Sequence, residues 1–341
     1  MTDWMPLGWM WVMVGLWGAL WGSFANVVIA RMPEGQSIAW PASHCFSCKT
    51  PIRWYDNLPL VSWFVLKGRC RACGAFISWR YPLIELGGVV CSLAAAWAVV
   101  GGSTHWRLVE TPALEIVSAW MLLTFFFLIL MMLTAIDLKH LLLPHRLTGS
   151  LAIFGFLYAW IVPTGGDWRG FVPSLTVGEA VLGFVVAYGA LFLFAFLYSL
   201  LRGRQGMGGG DFMLFGALGA WFGVDALPML MLLAALQGVL LYALALVFFP
   251  SLIHEIRDDD EAFWAGRAGA GPLEAKGPHA SETPVEKEEE RRGASSAAAE
   301  IVAEASAATA RGVAFGPFLC LAAVEFVAFG GLYLRWLNGG F

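Results

Sequence analysis

The chain has 341 residues, 59% of them hydrophobic and 13% charged, with a formal net charge of −4 at pH 7. A soluble domain carries about a quarter charged residues, so a water-soluble globule is excluded. The small net charge gives no footing for a nucleic-acid partner.

A hydrocarbon core about 30 Å thick takes about 20 apolar residues in a helix. On that measure the first span is 9–30; no basic region precedes it and no small-residue cleavage pattern follows, so it reads as a retained helix and not a signal peptide. A charged loop, 31–81, follows. Further spans are expected at 82–101, 116–136, 147–163, 179–201, 212–224, 228–249 and 313–334. The fourth and sixth are short, and are expected to be tilted, re-entrant or packed inside the bundle. The fold class is therefore an all-α polytopic membrane protein of about eight helices. Seventeen Trp residues, several near span ends, fit an aromatic belt at the interfaces. No internal repeat is evident.

The organisation expected is a first span (1–30), a cysteine-bearing loop domain (31–81), a membrane core (82–249), a linker (250–312) and a last span with its tail (313–341). The linker runs through an acidic cluster at Asp258, Asp259, Asp260 and Glu261, a Gly/Pro stretch and an Ala-rich run. Such a composition cannot bury enough apolar area to fold alone, and it reads as a flexible cytoplasmic linker, with a partner-binding element as the alternative. With the N-terminus outside, the inner loops hold 18 of the 21 Lys and Arg residues; only Arg107, Arg169 and Arg335 fall outside. That bias orients the chain with its N-terminus out.

Within the first inner loop, Cys45-Phe-Ser-Cys48 and Cys70-Arg-Ala-Cys73 are 21 residues apart. Two such pairs match a zinc-ribbon arrangement, in which four thiolates surround one Zn²⁺ and leave no open position for chemistry. Lys49, Arg69 and Arg71 beside the sulfurs favour thiolates. Unmetallated thiols or two disulfides are the alternatives, and the cytoplasmic side disfavours disulfides. Cys91 and Cys320 lie inside spans and read as core residues.

Ionisable groups at membrane depth are costly and mark function. Asp137 closes the third span and is followed by His140, Pro144 and His145; Asp211 opens the sixth behind Gly208, Gly209 and Gly210. Both fall at the cytoplasmic border, where helix hairpins can bring them together. Two carboxyls a few ångströms apart share a proton and supply the base and the acid that peptide hydrolysis needs. The glycines permit φ > 0 and close backbone approach. Glu85 reads equally as a functional group or as hydrogen-bonded packing, the role of Glu325 is open, and Asp167, Asp225 and Glu179 read as loop or cap residues. A proton-coupled transporter using Asp137, Glu85 and Glu325 is one rival reading. A non-catalytic assembly protein with a zinc loop is another.

These residues resemble the type IV prepilin peptidases, of the G-x-G-D class of intramembrane aspartyl proteases. The resemblance is carried by Gly22-Ser-Phe-Ala-Asn26 through Arg31-Met-Pro33, the two Cys pairs around Trp54-Tyr-Asp-Asn-Leu-Pro59, Arg80-Tyr-Pro-Leu-Ile-Glu85, the two aspartate segments and Phe315-Gly-Pro-Phe-Leu319. It implies an inner-membrane enzyme that removes the basic leader of prepilins or pseudopilins at the cytoplasmic face. It also implies N-methylation of the new N-terminus with S-adenosylmethionine. By resemblance Asp137 and Asp211 are the catalytic pair, and Cys45, Cys48, Cys70 and Cys73 hold a structural zinc. No Gly-rich loop in a βαβ setting marks a methyl-donor site. Met213 stands where the family commonly has Lys, His145 stands where an acid or Asn is common, and the 250–312 insertion is unusual.

Overall fold

In a computed structural model of the chain, residues 5–100, 112–162, 175–202, 207–248 and 315–337 are described. Their helices are α1 (Met5–Arg31), the short α2 (Val61–Val65), α3 (Arg80–Val100), α4 (Ala113–His140), α5 (His145–Ile161), α6 (Val177–Arg202), α7 (Gly209–Phe222), α8 (Leu227–Phe248) and α9 (Gly316–Leu337). No β-strand occurs among the described residues, only two isolated bridges in the cysteine loop. Each of the eight apolar segments is helical. Among the described residues, five stretches are long and apolar enough to cross a membrane: Gly8–Arg31, Arg80–Val100, Ala113–His140, Val177–Arg202 and Val224–Leu241.

Both short segments are helices; α7 is packed inside the bundle, whereas α5 keeps an exposed face with Ile153 and Trp160. Helix α7 has 14 residues and buries Phe212 and every residue from Leu214 to Phe222. At 1.5 Å per residue it is only about 21 Å long, so its neighbours, and not lipid, must cover it. They approach closely because glycine faces glycine. A Cβ on Gly183 of α6 would run into the carbonyl of Gly219, and one on Gly219 into the carbonyl of Gly183. Helices α1 and α3 use the same device at Gly18, Gly22 and Gly88. Lipid tails give helices no hydrophobic reason to associate, so small residues that let backbones touch carry the packing. Ser92 adds a buried hydrogen bond from its hydroxyl to the Val14 carbonyl at 2.8 Å, and Asn26 Nδ2 donates to the Tyr81 carbonyl at 3.1 Å.

Helix α4 is the centre of this arrangement. Its most apolar window is 61% buried, against 28% for α6, which faces outward. Aromatic contacts tie α4 to α7 and α7 to α9: Phe126 meets Trp221 at 4.7 Å, and Phe222 meets Phe326 at 5.0 Å. The Trp221 indole N–H donates to the Leu151 carbonyl of α5 at 2.8 Å, satisfying a fully buried donor. Glu179 caps α6: its carboxylate accepts from the Thr176 N–H at 2.7 Å, and its own N–H donates back to the Thr176 hydroxyl at 3.2 Å. This reciprocal pair is a capping box.

By compactness, Met1–Ala235 and Phe315–Phe341 form one unit and Leu236–Ala314 another. The expected 250–312 linker and Asp167 lie outside the described residues.

Candidate functional site

Helix α4 ends in a tight reversal. Leu141 takes a left-handed conformation (φ 50°) and donates its N–H to the Asp137 carbonyl at 2.9 Å. Pro144 then starts α5. Asp137 therefore sits in the last turn of α4, only 4% exposed, and its carboxylate accepts the backbone N–H of Gly316 at the start of α9. Asp211 is the third residue of α7, and its carboxylate reaches back to the N–H of the capping residue Gly208. The free N–H groups of a helix's first turn are natural partners for an anion.

The two carboxylates interact electrostatically with each other. Both also act on the Cys320 thiol, which is hydrogen-bonded to Thr134, one turn before Asp137. Leu143 lies against the glycines beside them. A Cβ on Gly210 would lie 2.6 Å from the Leu143 Cβ, and one on Gly316 would lie 3.0 Å from its Cδ2 and 2.5 Å from Asp137 Oδ2. The ends of α4, α7 and α9 thus converge on the 141–144 reversal. Among the described glycines before Asp211 none has positive φ. The expectation of φ > 0 there is corrected; what Gly210 supplies is room for Leu143, a neighbouring segment of the same chain.

The two departures from the family pattern lie close by. His145 Cε1 stands 3.7 Å from where a Cβ on Gly209 would be, and Met213 Cε stands 3.8 Å from the same point on Gly149. Gly316 and Leu143 had no role assigned from sequence; Cys320, read as a core residue, is buried. The signals available were the Leu-Pro of the first aspartate segment and the Phe-Gly-Pro opening the last span, neither of which names a partner.

The remaining acids go elsewhere. Glu85 accepts the Leu60 N–H at 2.7 Å and is hydrogen-bonded to Ser23, so it fastens the cysteine loop to α1 and α3. Glu325 lines a cavity of about 300 Å³ with Met229, Leu233, Phe326 and Phe329. It lies nine residues beyond Gly316, about 13 Å along the helix. These placements do not assemble a path from Asp137, Glu85 and Glu325.

The four cysteines do assemble. The sulfurs of Cys45, Cys48, Cys70 and Cys73 all lie within 4.8 Å of one another, and those of Cys45 and Cys73 are 3.8 Å apart. A tetrahedron of thiolates at a Zn–S distance of about 2.3 Å has edges of about 3.8 Å, so the donor set fits zinc. Each pair is presented by the same ten-residue turn. Cys45 and Cys70 donate their N–H groups to Thr50 and Ala75, Lys49 and Gly74 donate to Cys45 and Cys70, and Ile52 and Ile77 donate to Ser43 and Gly68. Lys49 and Gly74 both have positive φ, 57° and 72°. Segments 43–52 and 68–77 are thus a structural repeat, a correction to the reading that none is present. Arg71 forks onto the Asp56 carboxylate with contacts of 2.6 to 3.0 Å and holds it below the ordinary carboxylate range, which ties the second turn to the 54–57 segment.

A family model described as the bacterial peptidase A24 N-terminal domain matches residues 16–99, and one described as the type IV leader peptidase family matches 123–243. The prepilin leader peptidase/N-methyltransferase of Aeromonas salmonicida (strain A449) is 38% identical over 253 residues, covering 67% of this chain and 78% of that protein. The chain belongs to the type IV leader peptidase family. The like-named protein of Klebsiella pneumoniae is also 38% identical, over 224 residues, with 64% of this chain and 87% of that one covered. A type 4 prepilin-like proteins leader peptide-processing enzyme of Escherichia coli O78:H11 is 36% identical over 250 residues, covering 68% and 84%. No solved structure gives a significant match. Within the family frame, the N-terminal model ends with α3 and includes the cysteine turns, and the second begins inside α4 and ends inside α8. Helix α9, whose first residue contacts Asp137, lies outside both.

Proposed function

We propose that this protein is an inner-membrane aspartyl endopeptidase that removes the basic leader of type IV prepilins or pseudopilins at the cytoplasmic face. Asp137 and Asp211 are the catalytic pair. What supports the reading is the electrostatic interaction between the two carboxylates, together with the convergence of the helix ends that carry them on the 141–144 reversal. Family membership supports it independently.

The chemistry follows from two carboxyl groups near enough to act on each other. One carboxylate takes a proton from water as the water oxygen bonds to the scissile carbonyl carbon. The partner acid gives its proton to the amide nitrogen as the C–N bond breaks, and a new carboxyl and a new amine result. A pair that shares one proton holds both roles at once. The Gly316 and Gly208 N–H groups orient the carboxylates, and the buried wall of Leu143 and Cys320 limits water around them. The distribution of Lys and Arg supports an orientation with the N-terminus outside and both aspartates inside.

Cys45, Cys48, Cys70 and Cys73 would hold one structural zinc, which would fix the two turns of the loop together. The names of the relatives include N-methyltransferase, and methylation of the new amine by S-adenosylmethionine is proposed on that ground alone. The described residues build no βαβ cradle for a nucleotide-like donor, and no residue is assigned to that step.

The test is co-expression with a prepilin carrying a basic leader. Leader removal is expected with the unaltered chain, and its loss in both Asp137→Ala and Asp211→Ala, each still inserted in the membrane. Continued processing by either variant would remove that residue from the pair.

A further inference from the structure

The cysteine loop carries an apolar surface that the peptidase chemistry does not use. In α2, Ser62 and Trp63 face inward. The Ser62 hydroxyl accepts the Leu58 N–H and donates to the Tyr55 carbonyl, both at 3.0 Å, and the Trp63 indole donates to the Ile77 carbonyl at 3.0 Å. The other face points away from the protein, with Val61 57%, Phe64 61% and Val65 69% exposed. Such a stripe standing in water would be a liability.

Its depth is fixed by one hydrogen bond. The Leu60 N–H, at the head of α2, donates to Glu85 Oε2 at 2.7 Å. Glu85 is five residues into α3, about 7 Å along the helix from the Arg80 that marks its charged end. The Glu85 side chain leans back toward the Arg80 end, so the head of α2 lies alongside the first two turns of a membrane helix, where Leu83 and Leu86 of α3 are themselves 67% and 49% exposed.

The backbone tells the same story independently. The N–H groups of Leu58, Leu60, Val61, Ser62, Phe64, Leu66 and Lys67 all find acceptors inside the protein. An aqueous loop can leave such donors to water; a segment in lipid cannot. Here the donor at Leu60 is met by a carboxylate of a membrane helix. Lys67 and Arg69, both exposed, follow the apolar stripe directly and are long enough to reach the headgroups.

We propose that residues 58–66 form a lipid-contacting element, in which Val61, Phe64 and Val65 enter the headgroup–acyl boundary of the bilayer and anchor the cysteine loop to the membrane surface. The occupant is the phospholipid leaflet that surrounds α3, because the head of the stripe is hydrogen-bonded to Glu85 of that helix, between its exposed Leu83 and Leu86. The anchor does not depend on the identity of the catalytic residues.

The experiment uses the full chain in nanodiscs of phosphatidylethanolamine and phosphatidylglycerol, with a benzophenone amino acid in place of Phe64, of Val65 or of Ser47. Ser47 lies exposed at the tip of the first cysteine turn and serves as the control. After illumination, phospholipid adducts at 64 or 65 are expected to exceed those at 47 by roughly tenfold, as for a side chain seated several ångströms below the headgroups. Use of two label positions keeps the test open if one variant folds poorly. Adducts at both positions no more frequent than at 47 would overturn the proposal, as would crosslinking at both only to a second copy of the chain or to an added prepilin.

Discussion

Gly210 and Gly316 show how little space surrounds the paired aspartates. A methyl group at 316 would stand 2.5 Å from Asp137 Oδ2, and one at 210 would stand 2.6 Å from Leu143 Cβ and 3.0 Å from its carbonyl oxygen. Real Cβ atoms do not sit that close, so the carboxylate or the reversal has to move. A misplacement of about 1 Å at a reacting group costs around a hundredfold in rate. Gly316→Ala and Gly210→Ala are therefore expected to slow leader removal by about that factor. Gly209→Ala meets only the ordinary 3.7 Å contact with His145 and should process the leader at close to the unaltered rate. Cleavage time courses on membranes containing equal amounts of each variant check the contrast. Equal loss in all three would mean that the glycines serve helix folding and not the placement of the pair.

The cysteine turns belong to the scale of single elements, where local hydrogen bonds settle the chemistry. Hydrogen bonds from the Thr50 hydroxyl and then its N–H push the Cys48 thiol down to about 6, so it is a thiolate at neutral pH. Cys73 goes the other way. The Ala75 N–H favours its thiolate, but the hydrogen-bonded sulfur of Cys48, burial, and the sulfurs of Cys70 and Cys45 together push it up to about 11. Four sulfurs this close cannot all carry negative charge without a cation among them. A zinc ligand must shed its proton, so metal binding releases protons and strengthens as pH rises. For Cys48 the sign is that of a lowered group: its thiolate stabilises the folded loop above its ordinary value of 9.0, and that contribution is lost as pH falls through about 6. Zinc retention against a colorimetric chelator is expected to be firm at pH 8 and to collapse below about pH 6, with one zinc released per chain. Retention that is flat across this range would argue against a thiolate site.

On the scale of the whole molecule, the last helix completes a site whose other parts lie more than 100 residues earlier in the chain. Both family models end before it, yet its first residue holds Asp137. Closure entropy depends on loop length, so a replacement of equal length leaves it nearly unchanged. Replacement of residues 255–308 by a Gly/Ser segment of equal length is expected to leave leader removal within about twofold. A chain stopped at residue 312 should lose it by about a hundredfold or more, through the misplaced carboxylate. Processing assays on both forms, with membrane content matched, decide this.

Much of this was legible from residue types in order. Long apolar runs predict helices because lipid leaves the backbone no other partner, and all eight runs are helical. The C-x-x-C spacing predicts a metal knuckle because both ligands of each pair come from one tight turn. The two border aspartates stand out because charge is scarce in such a chain. Other features depended on contacts between distant segments. Glycine before Asp211 looks the same whether it provides positive φ or merely lacks a Cβ, and only the position of Leu143 decides for the second. The ten-residue repeat around the cysteines shares too few side chains to be seen without its hydrogen bonds. Glu85 could not be assigned until Leu60 was found on it, nor Gly316 until Asp137 was. The sequence by itself determined that this protein lies in the membrane, with two C-x-x-C pairs and an aspartate at each of two span ends, since those follow from composition and local spacing. Tertiary structure alone decided which backbone groups hold the carboxyls and which helices shield them, because those partners meet only when helices far apart in the chain pack at their glycines.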